Sequence, residues 1–295
     1  MRVLIGVDGS EPSRVACELV ASRSWPPETR VRLVAVVEPP APWIGVPVLR
    51  EELAAREGEL TTLLDTHADA LRRAGLPCEL VVEAGRPGEV LLEHASEWIA
   101  DLVVVGSRGR GAAASALFGS VSAHLVDHAP CPVLVARGPR ADRMLLATDG
   151  TRSCLDVPRV LARWRPAFHG LEVEVLSIAP NGDRPTPGAE GPVDPGLADH
   201  RRVAEQVADE MLELGWRAAA VTRAGDPSRE IVRAAEGYGA DLVVTGSRCL
   251  GGLQRLLAGS VAHAVLVHSH ASVLVMRGHV PARQAERRSV AIAPG

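Results

Sequence analysis

Gly106, Gly109 and Gly111, followed by Gly119, Ser120 and Ser122, are the residues best suited to holding an anion. They lie in or beside one stretch, Val103 to Ser120, which reads VVVGSRGRGAAASALFGS. Glycines let a backbone come close to a ligand. Gly119-Ser120 opens a helical pattern in which Val121, Leu125 and Val126 share a face. The N–H groups at a helix start, together with its dipole, favour negative charge. The hydroxyls of Ser120 and Ser122 add donors. The chemistry implied is phosphate binding. Turn glycines without a ligand are the alternative reading, and it stays open at this point.

Asp8 stands before Gly-Ser at the end of an apolar run, and Asp149 repeats it. An aspartate there caps the following helix or faces a ligand, and the two roles are compatible. Arg108 and Arg248 follow Gly-Ser in the two loops, where an arginine serves phosphate or simply meets solvent. His124 and His128 have the i, i+4 spacing that can bind metal. No carboxylate or cysteine pattern supports them, so surface histidines are expected and no metal site is assigned. The chain has no G-x4-G-K-[ST] loop, no G-x-S-x-G and no credible Ser/His/Asp set. Efficient catalysis is therefore not expected.

These residues need strands and helices to position them. Arg2 to Val7, Val31 to Val37, Glu79 to Glu83, Leu102 to Val105 and Val133 to Ala136 read as buried strands, continuous and rich in β-branched residues. Helical patterns separate them: Val15, Leu19 and Val20 in the first, then about Arg50 to Arg73, then Glu89 to Trp98. Leu53, Leu60, Leu64, His67 and Leu71 form the stripe of the long helix, and Gly75 suits its C-cap. Glu38 to Pro47 is a proline-rich loop whose Trp43 either lids a crevice or packs on its own loop. Alternating strands and helices imply a parallel sheet with helices on both faces. Ligands in such sheets bind beyond the carboxyl ends of the strands. Asp8 and Gly106 both stand there, so both are expected to face one crevice.

The whole pattern returns. RVLIGVDGS, Arg2 to Ser10, reappears as RMLLATDGT, Arg143 to Thr151. Glu83 to Arg108 reappears as Arg223 to Arg248. Long matches in register mean two tandem copies of one domain. The expected domains are residues 1–138 and 143–278, with 279–295 a disordered tail.

Composition agrees with this reading. Apolar residues make up 46% of the 295, enough for a core in each half, and the aromatic share of 3% leaves that core to Val, Leu and Ala. A net charge of −4, with no basic block before the last residues, argues against nucleic-acid binding. The five cysteines are scattered and odd in number, which argues against disulfides or structural zinc and suits a reducing cytoplasm. The opening apolar run is too short for a signal peptide, and no run is long enough to span a membrane.

The loop also carries a resemblance. Gly106, Gly109, Gly119 and Ser120 match the G-x2-G-x9-G-[ST] loop of the universal stress protein family. Ala129 to Val135 resembles that family's last turn and strand, and the likeness holds through both copies to about Arg277. The resemblance implies an α/β fold of two tandem five-stranded parallel sheets, each ordered 3-2-1-4-5. It implies that Val133 to Val135 pairs with Val273 to Val275, with homodimer formation a further option. It implies ATP or a related adenine nucleotide as ligand, with Mg a further option. Asp8 and Asp149 match the aspartate that meets the nucleotide or its metal. Val37 and Ile178 match the main-chain position that holds adenine. The candidate set is then Asp8, Val37, Gly106, Arg108, Gly109, Gly111, Gly119, Ser120, Val121 and Ser122 in the first copy. In the second it is Asp149, Ile178, Gly246, Gly259 and Ser260. The function implied is a cytoplasmic stress protein that responds to a nucleotide. A slow nucleotide-transforming enzyme and a scaffold without ligand are the alternatives. Cys249 replaces the middle glycine in the second loop, so the first site is expected to be the tighter.

Overall fold

The computed structural model describes residues 1–38, 48–109, 118–180, 195–246 and 259–277. Trp43, Gly111, Arg248, Cys249 and the expected tail lie outside these residues.

In the first half, β1 (Arg2–Gly6), β2 (Arg30–Val37), β3 (Cys78–Ala84), β4 (Leu102–Gly106) and β5 (Val133–Ala136) alternate with α1 (Glu11–Ala21), α2 (Val48–Arg73), α3 (Pro87–Glu97) and α4 (Ser120–His128). The second half follows with β6 (Arg143–Thr148), α5 (Arg152–Leu155), α6 (Val157–Arg163), a 3-10 turn (Arg165–Phe168), β7 (Glu172–Ala179) and α7 (Pro195–Glu213). It ends with β8 (Arg217–Ala224), α8 (Pro227–Tyr238), β9 (Leu242–Gly246), α9 (Ser260–His268) and β10 (Ser272–Met276). The expected strands and helices are present, with ends moved by a few residues.

The described strands form one ten-stranded sheet, ordered β3-β2-β1-β4-β5-β10-β9-β6-β7-β8. Each half has the order 3-2-1-4-5, and neighbours within a half are parallel. The halves meet at β5 and β10, which run antiparallel with Val133 opposite Val275 and Val135 opposite Val273. Two arginines cross this seam in matching ways. Arg137, just past β5, donates to the Leu266 and Ala271 carbonyls by the end of α9. Arg277, just past β10, donates to the Val126 and Asp127 carbonyls near the end of α4. Each cation meets the negative end of the other half's helix.

The strands are apolar on both sides because both sides are covered. Along β1, Val3 and Ile5 face one layer of helices and Leu4 the other. Leu60, Leu64, Ala68 and Leu71 form the buried stripe of α2, while His67 is half-exposed. Gly75 ends α2 with φ at +82°, a left-handed value natural to glycine. Burial pushes the thiols of Cys17 and Cys131 up to about 12. Among the described residues no helix is long and apolar enough to cross a membrane.

The halves differ after their first strands. The first has α1, an unbroken helix of 11 residues. The second has α5, α6 and the 3-10 turn instead, with Pro158 and Pro166 at the starts of the latter two. A proline supplies no N–H to an ongoing helix, so each one starts a new segment.

Candidate functional site

The loop after β1 is built from a few local bonds. Gly9 takes φ +77°, which turns the chain sharply after Asp8. Asp8 Oδ1 then accepts from the Ser10 amide at 3.0 Å and the Ser10 hydroxyl at 2.6 Å. Ser10, not Asp8, caps α1: its Oγ accepts from the Ser13 amide at 3.3 Å. The helix-cap role expected of Asp8 therefore passes to its neighbour, and Asp8 orients that cap. Asp149 in the second half has the same geometry, accepting from Thr151 N at 3.0 Å and Oγ1 at 2.6 Å.

The loop after β4 packs against this turn. A side chain at Gly106 would put its Cβ 2.5 Å from the Pro12 carbonyl carbon. One at Gly109 would reach 2.7 Å from Asp8 Oδ2. Neither Gly109 nor Gly119 has a left-handed φ. The need for glycine here is therefore close approach, not a positive φ. The Ser10 hydroxyl also lies 3.3 Å from the Arg108 carbonyl, tying the two loops together.

Helix α4 starts beside them. Gly119 occupies its N-cap, and among the described residues no side chain caps the first turn. The amides at its start are thus left for another acceptor. Ser120 is exposed at the first helical position. Ser122 is buried, and its hydroxyl donates to the Gly106 carbonyl at 2.7 Å. Its proton holds α4 to the end of β4.

These parts enclose a crevice of about 890 Å³. Asp8, Val37, Gly106, Arg108, Gly109, Gly119, Ser120, Val121 and Ser122 all line it. Residues far apart in sequence meet there because β1 and β4 are neighbours in the sheet. Other lining residues were not anticipated, among them Val36, Glu38, Arg56, Glu59, Leu60, Pro87, Leu91 and Phe118. Leu60 belonged to the predicted core stripe, but its place at the crevice depends on how α2 lies across the sheet. His124 and His128 stack at 4.5 Å on α4, and the described residues contain no metal-binding group of three or more side chains.

In the second half, Asp149, Gly246, Gly259 and Ser260 hold the positions of Asp8, Gly106, Gly119 and Ser120 at strand and helix ends. The match for Val37 is different from the expectation. Starting from Arg2 opposite Arg30 and Arg143 opposite Glu172, the ladders align Val37 with Ala179. The Val37 and Ala179 carbonyls accept from Gly85 and Gly225 at 3.0 Å each. Ile178 lies one residue earlier and packs in the opposite apolar layer. The sequence missed this because β7 is shifted by one residue relative to β2.

Comparison with known proteins agrees with the geometry. The profile of the universal stress protein family matches residues 1–137 and again 141–277. A universal stress protein of Mycobacterium tuberculosis is 30% identical over 301 residues, covering 93% of this chain and 96% of the relative. A universal stress protein of Thermus aquaticus is 35% identical over 136 residues, covering 46% of this chain and 97% of its own length. The crystal structure of a universal stress protein from Archaeoglobus fulgidus superposes with a TM-score of 0.68 at 20% identity, covering 95% of this chain and 97% of that one. The chain thus belongs to the universal stress protein family.

Proposed function

We propose that the first crevice binds ATP or a related adenine nucleotide, and that the chain is a regulatory protein of the cytoplasm, not a catalyst. The observation that carries this is the uncapped start of α4 opening onto a crevice with Gly106, Gly109 and Gly119 beside it. The volume of about 890 Å³ suits a ligand of nucleotide size. The amides of α4's first turn and the Ser120 hydroxyl would take the phosphates, with Arg108 on the same wall. Val36, Val37 and Leu60 offer an apolar wall for the base. Asp8 supplies a hard oxygen, so with phosphate oxygens and water it would hold Mg. That ion would neutralise phosphate charge.

The loop's donors are N–H and O–H groups, which hold phosphate but do not take a proton from water. This supports a binding role over turnover. The two halves, taken as domains 1–138 and 143–278, would pair within the chain through β5 and β10. A net charge of −4 supports no role for nucleic acid.

The test is mass spectrometry of the purified protein for retained adenine nucleotide, followed by calorimetric titration with ATP. Retained nucleotide and saturable binding are expected. No retained ligand together with no binding would leave the scaffold alternative, and turnover near 10 s⁻¹, about the enzyme median, would make the protein an enzyme.

A further inference from the structure

The second half carries a polar pair that the first half lacks. Ser177 is fully buried in β7, and its Oγ lies 2.8 Å from Nδ1 of His200 on α7. Ladder register matches Ser177 to Ala35 in the first half. Helix register matches His200 to Leu60. Both long helices end the same way, with Leu76 N bonded to Leu71 O and Trp216 N to Met211 O, and counting the same distance back gives Leu60 and His200. Leu60 lines the first crevice. His200 therefore stands at the corresponding wall of the second half, near the end of β7.

A buried serine hydroxyl needs an acceptor. Among the described residues His200 Nδ1 is the one partner of the Ser177 hydroxyl, so Nδ1 accepts its proton. The ring proton then sits on Nε2. His200 is only partly buried, and Nε2 has no hydrogen-bond partner among the described residues. Ser177 thus fixes the tautomer and aims a donor from a position where the first half has a methyl group.

We infer that His200 is a specificity-determining residue of the second half. Its Nε2–H donates to an acceptor on the ribose or base of a nucleotide whose phosphates meet Gly259 and Ser260. This rests on the nucleotide reading above, extended to the second copy. The two halves then recognise the same class of ligand through different walls, apolar at Leu60 and polar at His200.

The test is calorimetric titration of the full chain with ATP, using wild type, His200→Leu, His200→Gln and Ser177→Ala, with thermal unfolding of each. Two binding events are expected in wild type. His200→Leu should weaken one of them on the order of tenfold and leave the other unchanged, since a lost hydrogen bond of about 1.4 kcal/mol is a factor of ten. His200→Gln, which keeps a donor, should restore part of the loss, and Ser177→Ala should weaken the same event less. Two events that His200→Leu leaves untouched would overturn this inference alone, as would a single event insensitive to it. Loss in all three variants that tracks a lowered unfolding midpoint would make the pair a core contact and also overturn it. Absence of ATP binding in wild type would sink the nucleotide reading and this inference together.

Discussion

The two halves share a fold and a strand order but do not support the ends of β4 and β9 in the same way. In the first half, Gly106 lies against the backbone of α1 at Pro12. In the second, Gly246 lies against a side chain, with Cys154 Sγ 2.6 Å from where a Cβ would stand. Ser122 ties α4 to the Gly106 carbonyl, whereas Ala262 at the matching position has no hydroxyl to do so. The Asp-Gly-Ser/Thr turn is the same in both halves. The turn that orients the carboxylate is alike in the two halves, and the contacts at the strand end beside it are not. The end of β4 is therefore held by backbone contact and a hydroxyl tie, whereas the end of β9 meets a single side chain.

The sharpest way to break this contrast is to add one methyl group to each strand end. Gly106→Ala forces Cβ against Pro12 backbone that cannot rotate away, so a loss of about 3 kcal/mol is expected in chemical denaturation. Gly246→Ala meets only a sulfur, and a loss of about 1 kcal/mol is expected, with Cys154→Ala restoring it. Equal losses would show that the two loops are held alike. The same clash makes Gly106→Val a poor test of nucleotide binding, since α1 would shift as well.

Removing Arg137 or Arg277 tests whether the halves are equivalent where they meet. Each substitution by alanine should cost about 2 kcal/mol, since each removes charge-assisted bonds to two carbonyls. A cost confined to one arginine would mean that the seam is not symmetric in energy.

Gly109→Cys imports the second half's residue into the first. Its Cβ would press on Asp8 Oδ2, displacing the carboxylate, and ATP affinity should fall about tenfold, or about 1.4 kcal/mol. Unchanged affinity by calorimetry would remove the steric case for a weaker second site. The smallest effect is expected from Ser122→Ala, about 1 kcal/mol in unfolding, because a buried carbonyl loses its donor. No change would mean that this tie does not separate the halves.

The strands were legible because they are apolar on both faces, which only a covered parallel sheet demands. The crevice beside Gly106, Gly109 and Gly119 was legible because glycines between a buried strand and a helix mark a close approach of backbone. Sequence spacing could not reveal why Gly109 must be small, since that depends on Asp8 reaching it through the pairing of β1 with β4. It gave Ser122 to the ligand because a hydroxyl near a loop looks the same whether or not a carbonyl lies behind it. It placed Ile178 where Ala179 belongs because one residue of shift in β7 reverses which side chains face which layer. Arg56, Glu59 and Leu60 were not assigned to the crevice because the rotation of α2 is set by packing, not by its own periodicity.

The burial of Cys17 and Cys131 bears on what such a protein can sense. Oxidants attack thiolates, and burial raises these two thiols so far that they are scarcely ionised at neutral pH. Burial also raises the Cys154 thiol. Peroxide in the surrounding fluid therefore finds no ready nucleophile at these three sulfurs, and they keep their packing while redox conditions change around them.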